Sequence, residues 1–244
     1  MEDQIRTFVN FLEAARNASR ETVRNYRSDL RQLASFLHAA DRGQEPLQAT
    51  DVTAEQIRAY LHWLDQKGEK ASSLARKLAC LRSFYRFLVR EGLAQNNPAE
   101  GLKSPKLPKL LPRVLTKDDA GALMDIPAGQ SSLSLRDRAL LETLYSTGAR
   151  VSEAVGINLG DLSLGNGLIH LRGKGRKERV VPIGHVAIDA ITRYRKSLAA
   201  SAVSTQLSAP LFLNHRGGRI TTRSVARIVA QYSRLLAGGA VSPH

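Results

Sequence analysis

Three stretches carry side chains whose chemistry goes beyond packing. In "TGARVSEAVGI", Gly148 permits a sharp break after an apolar helix, Arg150 opens the next element, and Glu153 follows three residues on. A guanidinium is a planar, permanently charged fork that matches two oxygens of a phosphate or carboxylate. Glu153 has the spacing to orient it, although the same spacing makes an ordinary i,i+3 ion pair, and an arginine at a helix junction is commonly a surface or capping residue. In "RGKGRKER" five of eight residues are basic. Lys174, Arg176 and Lys177 could there enter a groove and carry a lysine to a phosphate. The same run also reads as a solvated turn that keeps a strand edge from pairing. The third stretch is "SPH", in which His244 is the last residue.

Other chemistries find no support. His38, His62, His170, His185 and His215 show no metal-ligand spacing with acids or with Cys80, and H-E-x-x-H is absent. There is no Walker A loop to imply a nucleotide cofactor and no G-x-S-x-G nucleophile elbow. Cys80 is the single cysteine, so no intramolecular disulfide framework exists.

Charge narrows the partner. Thirty-six lysines and arginines stand against 22 acids, a formal net charge of +14. The excess is mostly arginine and recurs along the chain instead of forming one tail, which suits a surface that follows a polyanion. A basic ribosomal or lipid-binding protein would share the total. Hydrophobic residues make up 43% of the chain, enough to bury a core. No apolar run approaches the ~20 residues of a membrane span. Acids stand near the start, where a signal peptide carries its basic segment, so a cytoplasmic, nucleoid-associated protein is expected.

The elements that must position these residues fall into two groups. Up to residue 102 the chain reads as four helices. Ile5, Phe8, Val9 and Leu12 share one face, as do Val23, Tyr26, Leu30, Leu33 and Leu37. A capping box, Thr53 to Gln56, opens the third helix and Gly68 closes it. Leu74, Leu78, Leu81, Tyr85 and Leu88 form the stripe of the fourth, with Arg76, Lys77, Arg82 and Arg86 supplying charge. Residues 103–115 hold Pro105, Pro108 and Pro112 among four lysines or arginines and read as an extended basic linker. Residues 116–244 read as mixed. An N-cap at Thr116, a buried helix ending near Gly148 and a short helix from "VSEAVGI" come first. A hairpin over "GLIHLRGKGRKERVVPIG" and two helices around "PLFLNHRGGRI" follow, the second capped at Thr221 or Thr222.

In order and with family-like spacing, "NPAEGLKSPKLPKLLPRVLT", "TGARVSEAVGINLGDL", "GKGRKERVVPIG", "LFLNHRGGRITTRSV" and "SPH" resemble the tyrosine site-specific recombinases of the Xer type. The likeness spans nearly the whole chain, and "DDAGALMDI" and "LRDRALLETLYSTGAR" lean towards the XerC branch over the XerD branch. It implies a mainly α fold with a small antiparallel β-sheet (α+β). A helical, SAM-like core-binding domain would fill residues 1–102, and a catalytic domain truncated at its C-terminus residues 116–244.

The resemblance also implies roles. Arg150 would clamp the attacked phosphate, Lys174 would protonate the departing 5′-hydroxyl, His244 would assist proton transfer, and Glu153 would orient. "SPH" resembles the first half of "SPH-x-L-R-H", so the chain is expected to be a piece of a longer protein. The second arginine, a later His or Trp and the nucleophilic tyrosine would then lie outside it. Tyr232, the last tyrosine, sits at an apolar helical phase before His244, which suits a core or groove role better than that of a nucleophile. Expected DNA contacts are Thr22, Asn25, Ser73, Arg76, Lys77 and Arg82 in the first domain, and Arg176, Lys177, Thr222 and Arg223 beside Lys174 in the second. The partners implied are a double-stranded recombination site gripped by both domains, sister protomers in a tetramer on DNA, and a DNA translocase. No metal or other cofactor is implied. A non-catalytic DNA-binding module of the same architecture, or a type IB topoisomerase relative, are the alternatives.

Overall fold

The amphipathic runs of the first hundred residues fold as α1 (Glu2–Ala14), α2 (Arg20–Ala40), α3 (Ala54–Gln66) and α4 (Ala71–Arg90). The structure, a computed structural model, describes residues 1–15, 18–40, 48–107, 115–173, 175, 177–199 and 204–236. It separates into two units, Met1–Leu110 and Leu111–His244. Among the described residues, no helix is long and apolar enough to cross a membrane.

In the first unit the predicted stripes converge. Ile5, Phe8, Val9 and Leu12 meet Leu30, Leu33 and Leu37 of α2, Ile57, Tyr60 and Leu64 of α3, and Leu78, Leu81, Phe84 and Leu88 of α4. Burying each such side chain contributes about 1.5–3 kcal/mol. Phe8 and Phe84 pack edge to face at 5.4 Å. Thr53 and Gln56 form the expected reciprocal cap on α3, and Gly68 takes φ +77° just past its end, where a side chain would be strained.

A polar cluster is sealed into this core. Asp29 of α2 and Lys77 of α4 are both buried. The Lys77 ammonium lies 3.2 Å from Asp29 Oδ1, 2.5 Å from Gln32 Oε1 and 3.6 Å from Glu69 Oε1. Arg76 pairs with the other oxygen of Asp29, and the Tyr60 hydroxyl donates to Gln32 Oε1 at 3.0 Å. Lys77, expected at a DNA surface, is therefore an interior cation that neutralises buried carboxylate, because an ammonium leaves water only when paired. Arg82 is also redirected. Its guanidinium donates to Ala99 O at 3.2 Å, to Leu102 O and to Ser104 Oγ at 3.1 Å, while Asn97 Nδ2 donates to Arg82 O at 3.3 Å. These bonds fasten the departing chain back onto α4. Residues 103–107 of the expected linker have no regular structure; 108–114 lie outside the described residues.

The second unit is built around α6 (Ser132–Thr147), which packs on α8 (His185–Ser197), with α5 (Lys117–Asp125) alongside. Thr116 caps α5 and Thr221 caps α9 (Thr222–Ser233), each accepting the N–H three residues on. The short α7 (Val151–Gly156) lies against α9 and the sheet. That sheet is antiparallel in the order β1 (Leu162–Ser163), β2 (Leu168–Arg172), β3 (Glu178–Pro182). Ile169 pairs with Val181 and Leu171 with Arg179. Ile169 and Leu171 point into a core of Leu140, Ala154, Ile191, Tyr194, Phe212 and Val225, as alternation along a strand requires. The mainly α fold with a small antiparallel sheet matches the expectation; β1 adds a strand to the hairpin.

The interior cluster generates a test in equilibrium urea unfolding, followed by fluorescence of Trp63, the one tryptophan. Asp29→Ala should destabilise the first unit by about 3–5 kcal/mol, because it strands a buried cation. Asp29→Leu combined with Lys77→Met should cost far less.

Candidate functional site

The two predicted functional stretches of the second unit meet at one buried carboxylate. Helix α6 ends at Gly148, which takes the left-handed conformation (φ +57°) and closes the helix through its N–H to Leu144 O. That reversal lets Arg150 start α7, with Glu153 in its first turn. Glu153 is only 3% exposed. Its Oε2 accepts the Arg150 backbone N–H at 2.9 Å and its Oε1 accepts Arg150 Nη1 at 3.1 Å. A second guanidinium arrives from the hairpin, where Arg179 Nη2 donates to Glu153 Oε2 at 2.8 Å and to Gly148 O at 3.4 Å.

The electrostatics follow. Burial pushes the Glu153 carboxyl up, but both hydrogen bonds from Arg150 and the charges of Arg179 and Arg150 outweigh it and hold the group below the usual carboxylate range. Arg150 is thus oriented from below by an anion while its side chain stays 70% exposed. A guanidinium fixed at one edge and open at the other can clamp the oxygens of an incoming phosphate. Gly173, at the end of β2, completes the seat: a Cβ there would approach Glu153 Oε1 to 2.9 Å. The hairpin then closes through Gly173 N–H to Lys177 O at 2.7 Å.

Of the other expected residues, Lys174, Arg176 and His244 lie outside the described residues. Lys177 is exposed beside the hairpin turn, and Thr222 and Arg223 are exposed in the first turn of α9. In the first unit Thr22 and Asn25 are half-buried on α2, and Ser73 is half-buried in the first turn of α4. Asp29 faces Arg76 and Lys77, and the Cys80 thiol lies 3.7 Å from Tyr26 O, so α2 and α4 run antiparallel. Thr22 and Ser73 therefore lie towards opposite ends of the helix pair. Arg76 remains 42% exposed even while paired with Asp29.

Tyr232 is half-buried at the edge of the second core. Its hydroxyl donates to Asp137 Oδ2 at 3.1 Å, and Asp137 is held by Arg136, which also donates to Leu213 O at 3.1 Å. Burial and the adjacent Asp137 carboxylate push the phenol up to about 12, which disfavours the phenolate a nucleophile needs.

Sequence reading missed Arg179. It stands opposite inward-facing Leu171, and cross-strand partners share a face. Arg179 itself stays 41% exposed and reaches Glu153 only with its guanidinium, so the signal lies in the strand register and not in the local sequence.

Known proteins bear on this geometry. Residues 5–92 match the phage integrase N-terminal SAM-like domain, and residues 113–244 match the phage integrase family. The chain is 46% identical over 243 residues to the tyrosine recombinase XerC of Pelobacter propionicus, covering 99% of this chain and 78% of that one. It is 38% identical over 245 residues to the tyrosine recombinase XerD of Chlorobaculum tepidum, covering 98% and 79%. A crystal structure of a lambda integrase (75–356) dimer bound to a COC′ core site superimposes with a TM-score of 0.70 at 19% identity, over all of this chain and 82% of that one. At that identity the likeness concerns the fold.

The lowered carboxyl of Glu153 gives a pH signature. A folded-state value below the unfolded one (about 4.3 for glutamate) stabilises the protein above pH ~4.3 and is lost as pH falls through the folded value. Glu153→Gln should therefore melt lower than the parent at pH 7, and the gap should narrow below about pH 4. Thermal melts across pH 3–8 check this; a gap of constant size would contradict it.

Proposed function

The chain belongs to the phage integrase family of tyrosine recombinases, and we propose that it recombines duplex DNA at a specific site through a 3′-phosphotyrosyl intermediate. The observation that carries the reading is the Glu153 carboxylate, buried and shared by two guanidiniums, with the outer edge of Arg150 left open to a ligand. In this reading Arg150 grips the non-bridging oxygens of one backbone phosphate. As a tyrosine oxygen attacks phosphorus and the bond to the 5′-oxygen breaks, negative charge grows on those oxygens. A donor already aimed at that charge lowers the barrier.

Lys174 donates the proton that the leaving 5′-oxygen takes up, and His244 assists the transfer. The resemblance puts the nucleophilic tyrosine after the histidine. Because the phosphotyrosyl bond conserves the energy of the phosphodiester, rejoining reverses cleavage. The chemistry then needs neither metal nor other cofactor.

DNA contacts come from both units. They comprise Thr22, Asn25, Ser73 and Arg76 in the first, and Lys174, Arg176, Lys177, Thr222 and Arg223 in the second. Lys77 is left out because it is buried against Asp29, and Arg82 because its half-buried guanidinium is committed to Ala99 O, Leu102 O and Ser104 Oγ. A basic linker over residues 103–115 joins helical domain 1–102 to catalytic domain 116–244. The reading extends to resolution of chromosome or plasmid dimers, in the cytoplasm at the nucleoid, by a tetramer of protomers on DNA with a DNA translocase as a further partner.

Two measurements test this. The 244-residue chain should bind duplex DNA with an affinity that falls by about 10³–10⁵ between 50 and 200 mM salt, as about eight phosphate contacts require. It should form no covalent complex with a nicked suicide substrate; a flat salt response or a trapped complex would contradict the reading. The product of the encoding gene, read to its own stop codon, should cleave that substrate. In that product Arg150→Ala should slow single-turnover cleavage by about 10²–10³-fold. Absence of cleavage there would favour a DNA-binding module without catalysis.

A further inference from the structure

Helix α7 bears Arg150 at its start, yet it is six residues long and cannot hold its own geometry. Glu153 secures the first turn. The far end is secured from outside. Arg219, 61–64 residues further along the chain than the groups it meets, donates from Nη1 to Val155 O at 2.7 Å and to Ile157 O at 3.2 Å. Its Nη2 donates to Asn158 Oδ1 at 2.5 Å. Leu211 N–H also reaches Ile157 O, at 3.0 Å. These carbonyls belong to the helix end that has no intrahelical donors and carries partial negative charge, so a guanidinium there satisfies hydrogen bonds and charge together.

The contacts continue into the sheet. Asn158 N–H donates to Asp161 Oδ2 at 2.8 Å, and buried Asp161 takes both terminal nitrogens of Arg172, at the end of β2, at 2.6 and 2.8 Å. The α7–hairpin pair is consequently tied twice. Glu153 joins the start of α7 to β3 through Arg179, and Asp161 joins the residues after α7 to β2 through Arg172. Arg219 is the group that holds the second tie against the helix itself.

We infer that Arg219 is a positioning residue for Arg150: by capping the carbonyl end of α7 it stops the helix from pivoting about Glu153, and so fixes where the open edge of the Arg150 guanidinium points. The inference rests on the reading of Arg150 as the phosphate clamp. Arg219 acts at the opposite end of the helix from the phosphate and directs Nη1 and Nη2 at protein oxygens, so its loss should leave DNA affinity intact and lower the chemical rate. A displacement of about 1 Å in a positioned group can cost about 100-fold.

The test uses the product of the full gene on the nicked suicide substrate at saturating DNA. Arg219→Met should lower the single-turnover cleavage rate about 100-fold, with DNA affinity at fixed salt unchanged within about twofold. Arg219→Lys, which keeps the charge but replaces the two-nitrogen planar fork with a single nitrogen, should fall between. The deciding comparison is the double variant: in an Arg150→Ala background Arg219→Met should cost little more, because its effect travels through that arginine. Full additivity, or an unaltered rate for Arg219→Met, would overturn the inference. If Arg219→Met does not fold, Asn158→Ala, which removes one acceptor, takes its place with the same expectations in smaller degree. If the unsubstituted product does not cleave, the functional reading fails, and the positional claim is judged on the 244-residue chain instead. There Arg219→Met should speed hydrogen exchange at the Arg150 amide at least about tenfold, and unchanged exchange would refute it.

Discussion

A carboxylate that must stay ionised out of water constrains the second unit. Glu153 can remain charged at 3% exposure only with cations against it, and those cations can be aimed only because it is fixed. Gly148 turns the chain so that Arg150 starts a helix over that acid. Gly173 leaves the room its oxygen occupies, and the β2–β3 register brings Arg179 down from the sheet. Each is a local choice of residue that makes sense only as support for one charge. A pre-oriented guanidinium loses less freedom when it meets a phosphate than a mobile one, which is the physical gain of building the site this way.

The same device recurs wherever the structure needs rigidity. Asp29 with Lys77 and Arg76, Asp137 with Arg136, and Asp161 with Arg172 are all acids of low exposure met by cations. Arg82 and Arg219 extend the theme to backbone carbonyls. The formal net charge of +14 therefore overstates how many cations face outward. A good part of the arginine content fastens segments distant in sequence, a task for which a planar fork with several donors is better suited than lysine.

Much of the fold was legible in the sequence because its signals are local. Helical periodicity, the caps at Thr53, Thr116 and Thr221, and the glycine at 148 each act within a few residues, and the structure uses all of them. The Arg150–Glu153 pair was legible for the same reason. What stayed hidden depends on register or distance. Arg179 needs the strand pairing, β1 is two residues long, and the partners of Arg82 and Arg219 lie far along the chain. Lys77 differs. It stands three residues after Leu74 and four before Leu81, squarely on the apolar stripe, and its charge drew attention away from a phase that already pointed inward.

Cys80 is the chain's single cysteine, buried on α4 in the first unit with its thiol towards the Tyr26 carbonyl of α2. Burial, reinforced by nearby Asp29, pushes its thiol well above the ordinary range, so the reactive thiolate is scarce and shielded. The native surface should accordingly be silent towards maleimides, and a cysteine engineered onto either unit would be the sole point of attachment. A pair of engineered cysteines, one on each unit, would then carry a donor and an acceptor whose separation can be followed as a duplex is added.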